Sequence, residues 1–282
     1  MTSEYPAYSV LMSLYIKEKP EYLAQSLGSM LAQSVPPAEI VMVEDGPLTP
    51  ELKSVLQDFD EKNPKLLKVV SYPENKGLGY ALSVGLRACS NEFVARMDTD
   101  DIAMPDRMEK EFGAFHNDAA LDMVGSQIVE FIENPEQPIS HSDLPESLED
   151  IRSFSKRRNP FRHPTMVFRR SKALEAGGYS SDYLFFEDWD IWNRMLSHGC
   201  NARNIPDVTV AMRVSPDFYA RRGGREYLAY AYRFKIAQVK RGYFSAVDFC
   251  LSFFPHAAVC LMPNDLRSFV YTKMLRKSTN TN

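Results

Sequence analysis

Between Tyr8 and Met97 the chain alternates four short apolar runs with three stretches whose apolar residues recur at helical spacing, and no other feature constrains its fold as much. The runs Tyr8-Ser-Val-Leu-Met-Ser-Leu-Tyr15, Glu39 to Glu44, Leu66 to Ser71 and Phe93 to Met97 read as strands. Pro20 to Ser34, with Leu23, Leu27, Met30 and Leu31 on one face, reads as a helix, as do Thr49 to Lys62 and Gly79 to Ala88. Strands joined by helical crossovers lie parallel and wind right-handed, so the pattern predicts an α/β domain: a mostly parallel, Rossmann-like sheet flanked by helices.

In open α/β sheets ligands sit beyond the carboxyl ends of the strands. There the sequence places Ser13-Leu-Tyr15, Glu44-Asp45-Gly46 and Asp98-Thr99-Asp100-Asp101. Carboxylates brought together at one sheet edge repel, and a cation or hydrogen-bond donors must compensate them. Magnesium and manganese prefer carboxylate oxygens, and magnesium takes only one or two from protein while substrate phosphates supply others. A metal-nucleotide site at Asp98-x-Asp100-Asp101 is one reading of this run. An acidic turn capping the next helix is the other, and spacing alone leaves both open.

Further along, Pro105 to Asn117 predicts a helix, Asp122 to Ile132 strands, Asn134 to Asp150 a polar loop, Thr165 to Arg169 a strand, and Asp188 to His198 a helix with Trp192, Met195 and Leu196 on its apolar face. Gly224 to Lys277 predicts two or three helices broken near Pro255 and Pro263. Cys89, Cys200, Cys250 and Cys260 form no CxxC pair, which fits a reducing compartment, and Met1 to Tyr8 lacks the apolar core of a secretory signal. There is no zinc spacing, no GxSxG and no P-loop, and Gly77-Leu-Gly79 lacks the third glycine of a dinucleotide fingerprint.

Charge divides the chain unevenly. Residues 221–282 carry 11 Lys and Arg against 3 Asp and Glu, a net +8, whereas residues 1–220 carry 22 against 34, a net −12. In that tail Arg221, Arg222, Arg225, Arg233, Lys235, Lys240 and Arg241 interleave with Tyr227, Tyr230, Tyr232, Phe234, Tyr243 and Phe244, a composition suited to helices lying on an anionic membrane surface. Packed helices without a membrane fit the same composition, and nucleic acid is not expected. The run Phe244 to Met262 contains Asp248, Pro255 and His256 and falls short of a transmembrane span.

Five motifs occur in an order that resembles family 2 glycosyltransferases: Ser9-Val-Leu-Met-Ser-Leu-Tyr15, Val43-Glu-Asp-Gly46, Asn75-Lys-Gly-Leu-Gly79, Met97-Asp-Thr-Asp-Asp-Ile-Ala-Met-Pro-Asp-Arg107 and Phe186-Glu-Asp-Trp-Asp-Ile-Trp-Asn-Arg194. The chain is most similar to the bacterial branch that makes exopolysaccharide and O-antigen units, amylovoran-type transferases included. The resemblance implies a GT-A fold over residues 1–220 with a helical extension at 221–282, a nucleotide-sugar donor and inverting transfer. It puts Ser13, Tyr15 and Asp45, with Glu44 assisting, around the uracil or ribose of a UDP-sugar. Asp98 approaches the ribose, Asp100 holds Mn2+ or Mg2+ at the diphosphate, Asp101 supports that site, and Lys76 adds a phosphate contact.

Asp188 is the expected base for the acceptor hydroxyl, with Glu187 beside it and Trp189 and Trp192 as surfaces for a sugar ring. His163, between two prolines in Asn159-Pro-Phe-Arg-His-Pro-Thr165, is expected to contact the diphosphate or the acceptor. The implied acceptor is a polyprenyl-diphosphate-linked oligosaccharide, met by a cytoplasmic protein at the inner face of the membrane. Two departures bear on donor preference: Ile16 stands where many relatives carry Asn, and Glu44 where Asp is frequent. A sugar-phosphate nucleotidyltransferase would want a glycine-rich basic loop after strand one, which Tyr15-Ile-Lys-Glu-Lys-Pro20 is not. A non-catalytic sugar-nucleotide sensor would have no use for Asp188.

Overall fold

The computed structural model describes residues 5–215 and 223–262 and a two-residue strand at 277–278. Strands β1 (Tyr8–Leu14), β2 (Glu39–Asp45), β3 (Leu67–Tyr72) and β4 (Phe93–Arg96) alternate with helices α1 (Pro20–Leu31), α2 (Pro50–Lys62) and α3 (Leu78–Ala88). The four strands pair in parallel in the order β3-β2-β1-β4. Strand β1 is central and covered on both faces, which is why it reads as a nearly continuous apolar run. Val10, Met12 and Leu14 point into one core with Leu23, Leu27 and Met42. Leu11 points the other way, into a second core with Leu82 and Leu86 of α3 and Trp192.

Past β4 the sheet becomes mixed. Strand β5 (Ile102–Ala103) and helix α4 (Arg107–Asn117) lead to β6 (Met123–Phe131), β7 (Ser140–His141) and α5 (Leu148–Ser155), and a single 3-10 turn, His163–Thr165, opens β8 (Val167–Arg169). Helices α6 (Arg170–Glu175) and α7 (Glu187–Ser197) precede β9 (Ala202–Arg213). Strand β8 pairs antiparallel with both β4 and β6, while β9 runs parallel to β6 and antiparallel to β5.

Two of these elements depart from expectation. Helix α5 begins within the last three residues of the predicted loop and continues to Ser155, where no helix was expected, started by the Ser147 hydroxyl accepting from the Asp150 amide. Strand β9, twelve residues long, has no counterpart in the sequence reading. Pro206-Asp207 interrupts its alternation, and its register against β6 shifts between Ser126 and Ile128, so the period of two is broken where it would have been read.

Helices α8 (Gly224–Lys240) and α9 (Ala246–Leu261) pack on each other, and β10 (Lys277–Ser278) pairs with β7. The break between the helices falls at Gly242, with φ of 77°, and not at Pro255, which sits inside α9. The fixed φ of proline suits a helix, and its ring costs one backbone hydrogen bond there. Pro263, Arg221 and Arg222 lie outside the described residues.

Much of the aromatic composition of this segment, and one of its basic residues, turns inward. Arg241 pairs with the fully buried Asp190, which also takes Arg194 at 2.8 Å and the Gln238 amide at 3.1 Å. Tyr227, Phe234 and Phe244 are buried in a cluster with Phe186 and Trp189. Lys235 is only 1% exposed, donates to the Ser252 carbonyl and stands 5.7 Å above the Trp189 ring. Arg225, Arg233 and Lys240 stay exposed.

Burial pushes the Lys235 amine down to about 7 from an ordinary value near 10.5. Between those values the unfolded chain binds more protons than the folded one, so this group makes the fold more stable as pH rises through that window. Lys235→Met, which keeps the apolar stem, should therefore raise the melting temperature at pH 7, with an advantage over wild type that shrinks by pH 9.5. Parallel thermal melts at the two pH values check this; a variant less stable at pH 7 would refute it.

Candidate active site

The carboxyl ends of β1, β2 and β4 open onto a cleft of about 680 Å³ lined by Ser13, Tyr15, Asp45, Asn75, Asp98 and Asp100, with Lys17, Glu18, Lys19 and Tyr22 from the loop after β1. Ser13 pairs with Val43 across the β1–β2 ladder and is half-buried; Tyr15 is exposed at the rim. Glu44, one residue before Asp45, does not line the cleft, as the alternation along a strand requires.

Asp45 closes a clamp. One carboxylate oxygen accepts from the Tyr72 hydroxyl at 2.8 Å and the Lys76 amide at 2.7 Å; the other accepts from the Asn75 side chain at 2.9 Å and the Gly77 amide at 3.0 Å. Four donors fill the capacity of a carboxylate. The expected contact of Asp45 with base or ribose thus has no open lone pair, and its observed work is to hold the Asn75-Lys76-Gly77 loop against the cleft. Gly46 adopts φ of 83°, and a Cβ there would come 2.6 Å from the Asn75 nitrogen, so the Glu-Asp-Gly run ends in glycine for space as well as conformation.

At the end of β4 the fully buried Arg96 donates to the Asp98 carboxylate and to the Met97 carbonyl, while its Nε finds no partner among the described residues. Ser26 donates to the Asp98 carbonyl at 2.7 Å. Asp100 faces the cleft, and burial first, then Asp98 and Glu18, push its pKa up to about 7. Asp101 turns inward at 1% exposure and accepts from the Arg213 amide at 2.7 Å. Its burial, with Asp100 and Asp98 beside it, holds its pKa well above the usual carboxylate range. Arg213 in turn donates from Nε to the Asp100 carbonyl at 3.0 Å and stacks 3.8 Å over Tyr22.

No group of three His, Cys, Asp or Glu able to hold a metal exists among the described residues. Magnesium or manganese does not need one when phosphates and water complete the shell. Two cleft-facing carboxylates, Asp98 and Asp100, with Asp98 helping to raise the proton affinity of Asp100, are the environment a divalent cation relieves, and the residues present fit one.

Across the Asn75–Gly79 loop lies a recess of about 30 Å³, room for roughly one water, lined by Lys76, Gly77, Ser180 and Glu187. Lys76 is exposed, its ammonium 4.8 Å over the Tyr80 ring. Glu187 opens α7 and is 8% exposed, with one oxygen lacking a hydrogen-bond partner among the described residues; burial and then Asp188 push its pKa up to about 7. Asp188 is half-buried, and its two oxygens accept from the Asn159 side chain and the Trp189 amide, each at 2.6 Å. Just before them Phe185 adopts φ of 70°, a conformation costing a bulky residue about 1–3 kcal/mol, with its ring against Tyr227 and Tyr230 of α8.

Three expectations need correction. Trp189 and Trp192 offer no ring face to a sugar: they are 6% and 0% exposed, and the Trp189 indole donates to the Ser155 carbonyl at 2.8 Å. Positions three apart share one helix face, and here that face is turned to the core. His163 lines neither cleft nor recess; it shares a hydrogen bond of 3.0 Å with the Tyr179 hydroxyl, and burial, then Arg96, hold its pKa well below the usual range. A neutral imidazole so placed is no cation for a diphosphate.

Sequence reasoning gave no role to Arg96, Asn159 or Arg213. A lone arginine at the end of an apolar strand was a signal for the first. Asn159 stood in a motif read for its histidine, and Arg213 needed β9.

The family described as glycosyl transferase family 2 matches residues 9–178. Among known proteins, the chain is 38% identical to the amylovoran biosynthesis glycosyltransferase AmsE of Erwinia amylovora, over 94% of this chain and 98% of that protein. It is 33% identical to an Escherichia coli UDP-Gal:alpha-D-GlcNAc-diphosphoundecaprenol beta-1,3-galactosyltransferase, over 98% and 99%. Its fold is similar to S. aureus TarS, with TM-score 0.62 and 20% identity over 95% of this chain and 44% of that one. A mannosyltransferase of Pyrobaculum calidifontis in complex with GDP-Man and Mn2+ also has TM-score 0.62, with 19% identity over 94% and 72%.

Proposed function

Because the chain belongs to glycosyl transferase family 2 and is a glycosyltransferase of GT-A-like fold, we propose that it moves a hexosyl group from a UDP-sugar, with inversion, to a hydroxyl of a polyprenyl-diphosphate-linked oligosaccharide in bacterial surface polysaccharide synthesis. One observation carries the reading: the carboxylates Asp98 and Asp100 face a nucleotide-sized cleft while Glu187, next to Asp188 in the chain, lines the recess across the Asn75–Gly79 loop that both walls share. The names of the Erwinia and E. coli relatives support the polysaccharide and lipid-diphosphate parts of it. The reading puts the enzyme at the cytoplasmic face of the membrane that holds the acceptor.

In this mechanism Ser13 and Tyr15 bind the nucleoside at the end of β1, and Asp45 acts through the loop it clamps, with Glu44 behind it. Asp98, oriented by Arg96, and Asp100 would hold Mn2+ or Mg2+, which when bound neutralises the diphosphate and makes UDP a better leaving group. Asp101 and Arg213 fix the backbone under Asp100. Lys76 brings a positive charge to the phosphate side of the recess. Asp188, held by Asn159 and by the Trp189 amide, receives the proton of the acceptor hydroxyl on a carboxylate oxygen as that hydroxyl attacks. Glu187, lining the recess with a proton affinity near neutrality, orients the acceptor. Trp189 contributes from behind the site, its backbone amide donating to Asp188.

The test is a panel of UDP- and GDP-sugars offered with a GlcNAc-diphosphate lipid, with Mn2+ and with EDTA, followed by product mass and anomeric coupling constants. Transfer of one hexose from a UDP-sugar, lost in EDTA and inverted at the anomeric carbon, is expected. Transfer with retention, or from GDP-sugars alone, would overturn the reading.

A further inference from the structure

Helix α9 leaves Val247, Leu251, Phe254 and Leu261 exposed at 66, 55, 62 and 59%. Their spacing of four, three and seven residues puts them on one stripe along a helix of about 24 Å. Ala258, which falls on the same stripe, is exposed as well. Asp248, the helix's single Asp, Glu, Lys or Arg, is turned away: it caps the helix through Ser245 and pairs with Arg157 at 2.8 Å and Lys156 at 3.6 Å. His256 is also turned inward, against Phe186 and Tyr227. The outer face of α9 therefore carries no charge, which is not how a helix facing water is built.

Positive charge surrounds this face. Arg225, Arg233 and Lys240 are exposed on the neighbouring α8, and Lys156 and Arg157 stand at the N-terminal end of α9. No helix among the described residues is long and apolar enough to cross a membrane. We propose that α9 lies in the surface of an anionic bilayer, its Val247–Leu261 stripe among the acyl chains and the surrounding cations at the headgroups.

The inference rests on the reading of a lipid-linked acceptor and deepens it. Helices α8 and α9 pack against Phe186 and Trp189, which flank Glu187 and Asp188. A bilayer under α9 therefore lies next to the part of the site that receives the acceptor. This differs from the expectation drawn from composition: Lys235, one of the basic residues it invoked, is held inside, Arg241 is tied to the buried Asp190, and the insertion surface is apolar.

Flotation with vesicles containing phosphatidylglycerol tests the proposal, using the full chain and a Leu251→Glu/Phe254→Glu double variant whose fold is checked by circular dichroism. Wild type is expected to float, with apparent affinity at least about tenfold weaker for vesicles of phosphatidylcholine alone. The double variant should lose at least about tenfold from removal of two buried side chains. Its turnover of a GlcNAc-diphosphate with a short, water-soluble tail should match wild type, while turnover of the long-chain acceptor in vesicles falls. An environment-sensitive dye on Cys250, exposed where the other three cysteines are buried, should brighten with anionic vesicles and so reports insertion without relying on the variant.

Wild type that stays unbound with a silent dye overturns the proposal. So does a folded double variant that floats as well as wild type, or a lipid-free wild-type dimer that the substitutions dissociate. Turnover of the soluble acceptor without vesicle binding would sink the membrane surface and spare the glycosyltransferase reading. Vesicle binding without transfer from any UDP-sugar would do the reverse.

Discussion

Asp188→Asn is expected to lower turnover by about 10²–10⁴-fold while leaving the dissociation constant for the UDP-sugar unchanged, the range a positioned general base contributes. Asparagine keeps the shape, and its carbonyl can still accept from the Trp189 amide that now bonds Asp188. It has no carboxylate oxygen to take the acceptor's proton. A second readout follows from the neighbour: part of what raises the Glu187 carboxyl to about 7 is the Asp188 charge, so its removal should move the corresponding limb of the pH–rate profile to lower pH. Burial of Glu187 persists, so that limb should not reach the ordinary glutamate value. If calorimetry shows the variant losing UDP-sugar affinity while turnover at saturating donor is kept, Asp188 belongs to the donor pocket and the base must be sought in Glu187.

Asp100→Ala should abolish transfer and remove the metal-dependent part of UDP binding. The fold should survive, because the side chain faces the cleft and takes no part in either hydrophobic core. The apo protein should lose no stability at pH 8. A carboxyl whose folded pKa is raised to about 7 favours the folded state less and less as pH climbs from the ordinary aspartate value through 7, so alanine removes a penalty there. Thermal melts at pH 8 without metal, beside UDP calorimetry with and without Mn2+, separate the two effects. Wild-type transfer undiminished in EDTA, or a variant that binds UDP with Mn2+ as tightly as wild type, would remove Asp100 from this role.

Burial of one face or both leaves a local period, so the elements of the parallel half were legible in the residues. Strands β1 to β4, the helices between them and the acidic ends of β2 and β4 follow from runs of fewer than about fifteen residues read against periods of 2 and 3.6. The Asp98-to-Asp101 run and the Glu187-Asp188 pair could be picked out the same way, since both sit directly at the end of one element or the start of another.

What each polar group faces was decided only in three dimensions. Asp45 looks like a nucleoside contact until Tyr72, Asn75, Lys76 and Gly77 arrive from about thirty residues away and fill its lone pairs. Asp101 is turned inward by the amide of Arg213, 112 residues later, on a strand whose broken register hid it. The basic and aromatic tail has a composition for a membrane, but packing sends Lys235 inside, ties Arg241 to the buried Asp190 and leaves outside an apolar stripe on α9. Periodicity records that a face is buried or wet, because solvent acts on each residue locally. The partner of a charge is chosen by chain segments that meet only when the sheet closes, and no local pattern contains that choice.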